Sequence, residues 1–286
     1  MKKSIIIIIV SIIFFFLPVD CREKTIHLGK GINFKKEENI HYGKELQQVF
    51  DLYIPQGNSI QQRDIFIIIH GGGWRSGDKS QLTFFTLSMM QKFPDHIFAN
   101  INYRLASAQQ YAIPNQMDDI QEVILFLKKK FNTRPNVILL GNSAGGYLSM
   151  LYAYHFDSDR YVKSVINIVG PADLTDTSFT SYEDYPFVEK HLIDPKFLPQ
   201  GISAVHFASP AYWINKKTPP TLSYYGKTDR VIPMAQKNIL DSLFFKNKVM
   251  SESYAFNGGH LDWDKAPHNS FLIDKIDRFL RRIDQK

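Results

Sequence analysis

The sequence predicts an α/β fold in which a mostly parallel sheet is covered by helices on both faces. Short, β-branched, continuously apolar runs recur along the chain, separated by turns and by stretches with apolar residues at helical spacing. Size agrees: 286 residues, 44% of them hydrophobic, can bury one large core and predict a single folded domain.

Candidate strands lie at residues 49–54, 65–70, 97–103, 137–140, 162–169, 221–225 and 251–256. Residues 65–69 read Ile-Phe-Ile-Ile-Ile, the uninterrupted pattern of a strand covered on both faces. Residues 115–131 follow Pro114 and place Ile120, Val123, Ile124 and Leu127 on one helical face. Further helices are expected over 144–155, 233–245 and 268–283. Residues 175–207, rich in Tyr, Phe, Asp and Pro, break the rhythm between two strands and predict a small cap. Its aromatics, Tyr182, Tyr185, Phe187 and Phe197, either form the cap's own core or stack on a ring of a ligand.

Three motifs carry chemistry. Gly141-Asn142-Ser143-Ala144-Gly145 fits Gly-x-Ser-x-Gly, and it stands between a strand and a helix, the context of a nucleophile elbow. A serine on so sharp a turn needs glycines on either side, because side chains there would strike the neighbouring strand and helix. Upstream, His70-Gly71-Gly72-Gly73 closes the most apolar strand, where an oxyanion loop is expected. Gly72, Gly73 and Ala144 are the expected N–H donors to a developing oxyanion. His70 is held by this loop and reads as structural.

With Ser143 as nucleophile, the order serine, acid, histidine puts the base downstream. Of His155, His191, His206, His260 and His268, only His260 follows a strand within a glycine-bearing loop, Gly258-Gly259-His260. Asp229, in Gly226-Lys227-Thr228-Asp229 after the strand at 221–225, is the expected acid. Asp173, in Gly170-Pro171-Ala172-Asp173, is its rival, with a turn or cap role as the other reading.

These strings resemble the carboxylesterases related to hormone-sensitive lipase, and within them the feruloyl and acetyl-xylan esterase-like (BD-FAE-like) family. The likeness runs over roughly residues 40 to 280, through Asp51-Leu52-Tyr53-Ile54-Pro55, His70 to Trp74 with Gly77-Asp78-Lys79, and Asn102-Tyr103-Arg104-Leu105. It continues through Gly141 to Gly146, Ser209-Pro210, Gly226 to Asp229 with Pro233, and Gly258 to His260. The resemblance implies an α/β-hydrolase fold with an eight-stranded sheet and hydrolysis of short acyl esters, acetyl or feruloyl groups on carbohydrate. Asn142 departs from the lipase-like branch, which usually has aspartate there, and favours the sugar-ester branch. An arylformamidase of similar HGGG type, a short-chain lipase-like esterase and a catalytically dead binding module are the alternatives. No metal or organic cofactor is implied, since no His-x-x-x-His or Cys-x-x-Cys spacing occurs.

Residues 1–20 read as a signal peptide: Lys2 and Lys3 precede an apolar run from Ile5 to Leu17 that Pro18 and Asp20 stop short of a bilayer span. Export is therefore expected, to the periplasm, the exterior or a lipid anchor. The single cysteine, Cys21, follows this leader directly and is a candidate for lipidation and a membrane tether, although Val19 and Asp20 replace the small residues usual before such a cysteine. The formal charge of +6 is scattered, with Lys128, Lys129 and Lys130 ending a helix where cations suit the dipole, so a nucleic-acid partner is not expected.

Overall fold

The computed structural model describes residues 24–57, 64–180, 183 and 185–285. The leader, Cys21 and Tyr182 lie outside the described residues.

Nine strands form one sheet: β1 (Lys24–His27), β2 (Asn33–His41), β3 (Val49–Pro55), β4 (Asp64–Ile69), β5 (Ile97–Ile101), β6 (Asn136–Asn142), β7 (Val162–Ile168), β8 (Thr221–Gly226) and β9 (Ser251–Phe256). Their spatial order is β1-β2-β3-β5-β4-β6-β7-β8-β9. From β5 through β9 every pairing is parallel, whereas β1, β2 and β3 pair antiparallel at one edge. Among the described residues the sheet thus has nine strands where eight were expected, and β1 and β2 are the two that the apolar pattern did not announce. The edge position explains this. β1 is the edge strand itself, and β2 beside it reads Asn-Phe-Lys-Lys-Glu-Glu-Asn-Ile-His and buries only Phe34, so its charged side chains remain partly in water near the margin of the sheet. A bulge between Glu37 and Ile40 puts Asn39 at φ 52°, with its N–H donating to Asp51 Oδ1 at 3.0 Å.

Helices follow the alternation of the central strands. In β4, Ile65, Ile67 and Ile69 join the core cluster with Ile120, Val123 and Leu127 of α2 (Asn115–Phe131), Leu148 and Leu151 of α3 (Ala144–Leu151), and Leu240 and Phe244 farther along the chain. Phe66 and Ile68 point to the opposite layer, with Met89 and Met90 of α1 (Thr83–Lys92) and Leu272, Ile276 and Phe279 near the C-terminus. Period-two alternation inside a wholly apolar strand therefore sorts its residues between two cores rather than between core and water.

The helix expected over 144–155 is α3 continued by one wider π-helical turn, Tyr152–Phe156. Between β7 and β8 lie α4 (Thr177–Thr180), α5 (Tyr185–His191), a 3₁₀ turn (Pro195–Phe197) and α6 (Ala204–Ala208). This segment is tied to the entry of α2 by Ile113 N–H donating to the Leu192 carbonyl at 2.8 Å and Asp194 N–H donating to the Ile113 carbonyl at 3.0 Å. α7 (Met234–Asn247) and α8 (His268–Asp284) complete the chain. Among the described residues no helix is long and apolar enough to cross a membrane.

Candidate active site

Ser143 stands at the turn from β6 into α3 with φ 53° and ψ −123°, a conformation costly for a residue with a side chain. The turn holds because its surroundings over-determine it. Ser143 N–H donates to the Ile168 carbonyl at 2.8 Å, and Tyr147 N–H donates back to the Ser143 carbonyl at 3.0 Å. A Cβ on Gly145 would lie 2.0 Å from the Ile69 carbonyl oxygen, and one on Gly141 would lie 2.3 Å from the backbone of Gly145. Only glycine lets α3 approach the sheet this closely.

The turn points the serine hydroxyl at His260. Ser143 Oγ lies 2.9 Å from His260 Nε2, and His260 Nδ1 lies 2.8 Å from Asp229 Oδ2. A carboxylate only accepts, so Nδ1 carries the imidazole proton and donates it to Asp229, leaving Nε2 to accept from the serine hydroxyl. Asp229 is buried, and its other oxygen accepts the N–H groups of Val231 at 2.8 Å and Ile232 at 2.9 Å. The loop carrying His260 is held by Gly259 N–H donating to Asp262 Oδ2 at 2.8 Å.

Asp173, the rival acid, makes a different set of contacts. Its Oδ1 accepts from Thr175 N–H at 2.8 Å and from Thr175 Oγ1 at 2.7 Å, while its backbone is bound on both sides by the buried Gln236. It is a turn-capping residue. The remaining histidines are engaged elsewhere: His155 stacks on Trp213 with ring centroids 3.5 Å apart, His191 packs against Phe187, His206 bonds Ser203, and His268 packs on Phe256. His70 is wholly buried, stacked on Tyr103, and donates from Nδ1 to the Gly71 carbonyl at 2.6 Å. Burial holds its imidazole below the ordinary histidine range, so it is a neutral support of the loop that follows.

That loop faces Ser143. Gly72 has φ +119° and Gly73 φ +57°, and the Gly72 carbonyl accepts from Ser76 N–H at 3.0 Å and Ser76 Oγ at 2.8 Å. Among the described residues, the N–H groups of Gly72, Gly73 and Ala144 donate to no protein acceptor, which leaves them available to an incoming oxygen. Motifs far apart in sequence brace this loop: Asn102 Nδ2 donates to Asp78 Oδ2, Lys79 N–H donates to Asn102 Oδ1, and the Tyr103 hydroxyl donates to the His70 carbonyl.

Ser143 and His260 open into a cleft of about 440 Å³. Its walls bring Arg75 and Ser76 from the glycine loop, Gln81 and Leu82 ahead of α1, Val231, and Leu261, Trp263 and Asp264 after the histidine. Sequence reasoning passed over these residues, although their adjacency to the HGGG and Gly-Gly-His strings was a usable signal. Among the described residues, the cap aromatics Tyr185, Phe187 and Phe197 do not line the cleft. Tyr185 meets Phe179 edge to face, Phe197 stacks on Phe156 while staying 40% exposed, and Phe187 lies under the Arg75 guanidinium at 4.7 Å, so each ring is paired within the chain. Among the described residues no group of three or more His, Cys, Asp or Glu side chains could hold a metal ion.

The model of the family described as BD-FAE matches residues 50–244, a segment that includes Ser143 and Asp229 and ends before His260. This chain belongs to the BD-FAE family. Esterase LipC of Mycobacterium tuberculosis is 24% identical to this BD-FAE member over 248 residues, which are 82% of the chain but 59% of LipC. Among solved structures, Esterase B from Lactobacillus rhamnosis superposes with a TM-score of 0.71 at 19% identity over 88% of each chain. A truncated carbohydrate esterase from gut microbiota does so with a TM-score of 0.68 at 19% identity, over 85% of this chain and 95% of its own. At such identity the likeness establishes the shared α/β-hydrolase fold.

Proposed function

We propose that this protein is an exported serine hydrolase that removes short acyl groups, acetyl or feruloyl, from carbohydrate. The observation that carries the reading is the continuous hydrogen-bonded chain from Asp229 through His260 to Ser143. In this reading His260 takes the hydroxyl proton as Ser143 attacks the ester carbonyl, and Asp229 holds the imidazole tautomer and stabilises the imidazolium that forms. Gly72, Gly73 and Ala144 receive the oxyanion, each such donor contributing about 3 kcal/mol in comparable sites. The imidazolium returns its proton to the leaving alcohol, and water releases the acyl group by the same route.

Membership of the BD-FAE family and the likeness to proteins named as esterases support ester chemistry. The cleft supports a polar alcohol: its rim combines Arg75, Ser76, Gln81 and Asp264 with the apolar faces of Leu261 and Trp263, a mixture that suits the hydroxyls and the C–H face of a sugar ring. The leader at residues 1–20 supports export, among polymers rather than intracellular metabolites, which argues against an arylformamidase. Cys21 would then be either the new N-terminus or an acylated anchor, and the mass of the mature N-terminal peptide distinguishes the two.

A panel of acetylated xylan, feruloyl esters, nitrophenyl esters of graded length and an aryl formamide tests the substrate. The expected result is fastest turnover on acetyl or feruloyl esters. Activity peaking at acyl chains of about ten carbons or more would assign a lipase, and faster formamide hydrolysis an arylformamidase.

A further inference from the structure

We infer that Asn142 is the positioning residue of the oxyanion loop, its side-chain carbonyl holding the N–H of the His70–Gly71 peptide, which leads directly into the Gly72 and Gly73 donors. The inference rests on the reading of Ser143 as an esterase nucleophile. Gly71 N–H donates to Asn142 Oδ1 at 3.0 Å, joining two loops 71 residues apart in sequence. Because that N–H is a donor, only the oxygen end of the amide can face it, and the orientation of the side chain is settled by chemistry. The approach is tight: a Cβ on Gly71 would lie 3.0 Å from Asn142 Nδ2, 3.1 Å from the Asn142 carbonyl oxygen and 3.2 Å from Ser143 Cβ.

The rest of the loop is anchored from elsewhere. Tyr103 holds the carbonyl of the His70–Gly71 peptide, His70 Nδ1 holds the carbonyl of Gly71 at 2.6 Å, and Arg75 and Ser76 hold the carbonyl of Gly72. Three consecutive glycines follow His70, and their peptides resist rotation less than those of any other residue. The bond from Asn142 fixes the first of them against the residue that precedes the nucleophile in the elbow. It therefore sets the distance between the serine oxygen and the donors that must meet the same substrate carbonyl, a distance on which transition-state stabilisation depends steeply. Gly71 is buried, so losing the acceptor leaves an unpaired N–H that the loop relieves by turning.

The role needs an acceptor at this position and no charge, so aspartate should serve where alanine fails. The test measures kcat and KM for nitrophenyl acetate, with the rate of inactivation by an alkyl phosphonate, for wild type, Asn142→Ala, Asn142→Ser and Asn142→Asp, alongside melting temperatures. The expected result is a fall in kcat of about ten- to hundredfold for the alanine and serine variants, a parallel fall in phosphonate inactivation, KM within about threefold, and recovery of most of kcat in the aspartate variant. An alanine variant within about twofold of wild type in kcat, or an aspartate variant no better than alanine, overturns the inference. If alanine fails to fold, the serine and aspartate variants decide it by the same contrast. Ser143→Ala run in parallel separates the two levels: loss of hydrolysis there upholds the nucleophile whatever Asn142 does, and its retention overturns the underlying reading.

Discussion

Asp229 and His260 are joined by a 2.8 Å contact between Oδ2 and Nδ1, and the second carboxylate oxygen of Asp229 is clamped by two backbone N–H groups. The carboxylate therefore cannot turn away, and it holds the histidine ring as well as its proton. Asp229→Asn puts an amide in the same place. If its NH₂ group faces Nδ1, the imidazole proton moves to Nε2, and the serine hydroxyl loses its acceptor. Ester hydrolysis should fall by up to about ten-thousandfold in kcat. Asp173→Asn should stay within about threefold, because that side chain caps a turn and meets Ser209 rather than His260. Steady-state kinetics of the two variants provide the check, and the reverse ranking would move the acid to Asp173.

The elbow makes a separate prediction about stability. Gly145→Ala forces a methyl carbon to within 2.0 Å of the Ile69 carbonyl oxygen in the central strand, and no flexible side chain stands there to move aside. The variant should lose at least about 2 kcal/mol in urea unfolding. A loss below about 0.5 kcal/mol would mean that α3 can lift from the sheet, contrary to the packing described.

Much of this was readable in the residues themselves, and the exceptions have physical causes. Ser143, His260 and Asp229 stood out because each follows an apolar strand in a loop that glycine shapes, and the structure brings these three together. β4 was legible because burial on both faces demands an unbroken apolar run. β1 and β2 were not, since a short, largely exposed strand at the edge and a lysine- and glutamate-bearing strand beside it lack an apolar run and look like a loop. α1 was missed for a related reason: Phe84 is 84% exposed while Phe85 is buried, which blurs the helical stripe. The bond from Asn142 to Gly71 could not be read from either motif alone, because it exists only once β4 and β6 lie side by side.

Acid sensitivity follows from two imidazoles, the wholly buried His70 and the half-buried His96. Burial lowers the affinity of His70 and His96 for a proton relative to the unfolded chain, where histidine titrates near 6.5. Above that pH neither state is charged and stability is unaffected. Below it the unfolded chain takes up protons that the folded one resists, so stability falls as pH drops from about 6.5 towards 5. His96 packs between Phe66 and Phe93, and its Nδ1 has no partner among the described residues, so His96→Phe suits the site. Unfolding free energies measured between pH 5 and 8 should decline less steeply in this variant, and an unchanged slope would contradict the assignment.

The central claim is that Ser143 is a nucleophile activated by His260, and covalent labelling tests it most directly. The protein without its leader is treated with a fluorophosphonate, and the adduct is located by peptide mass spectrometry. The account predicts one adduct, on the peptide containing Ser143, that appears as ester hydrolysis disappears. In Ser143→Ala both the adduct and hydrolysis should be lost, with residual activity below about a thousandth of wild type. An unlabelled protein, or hydrolysis that survives the loss of Ser143, would contradict it.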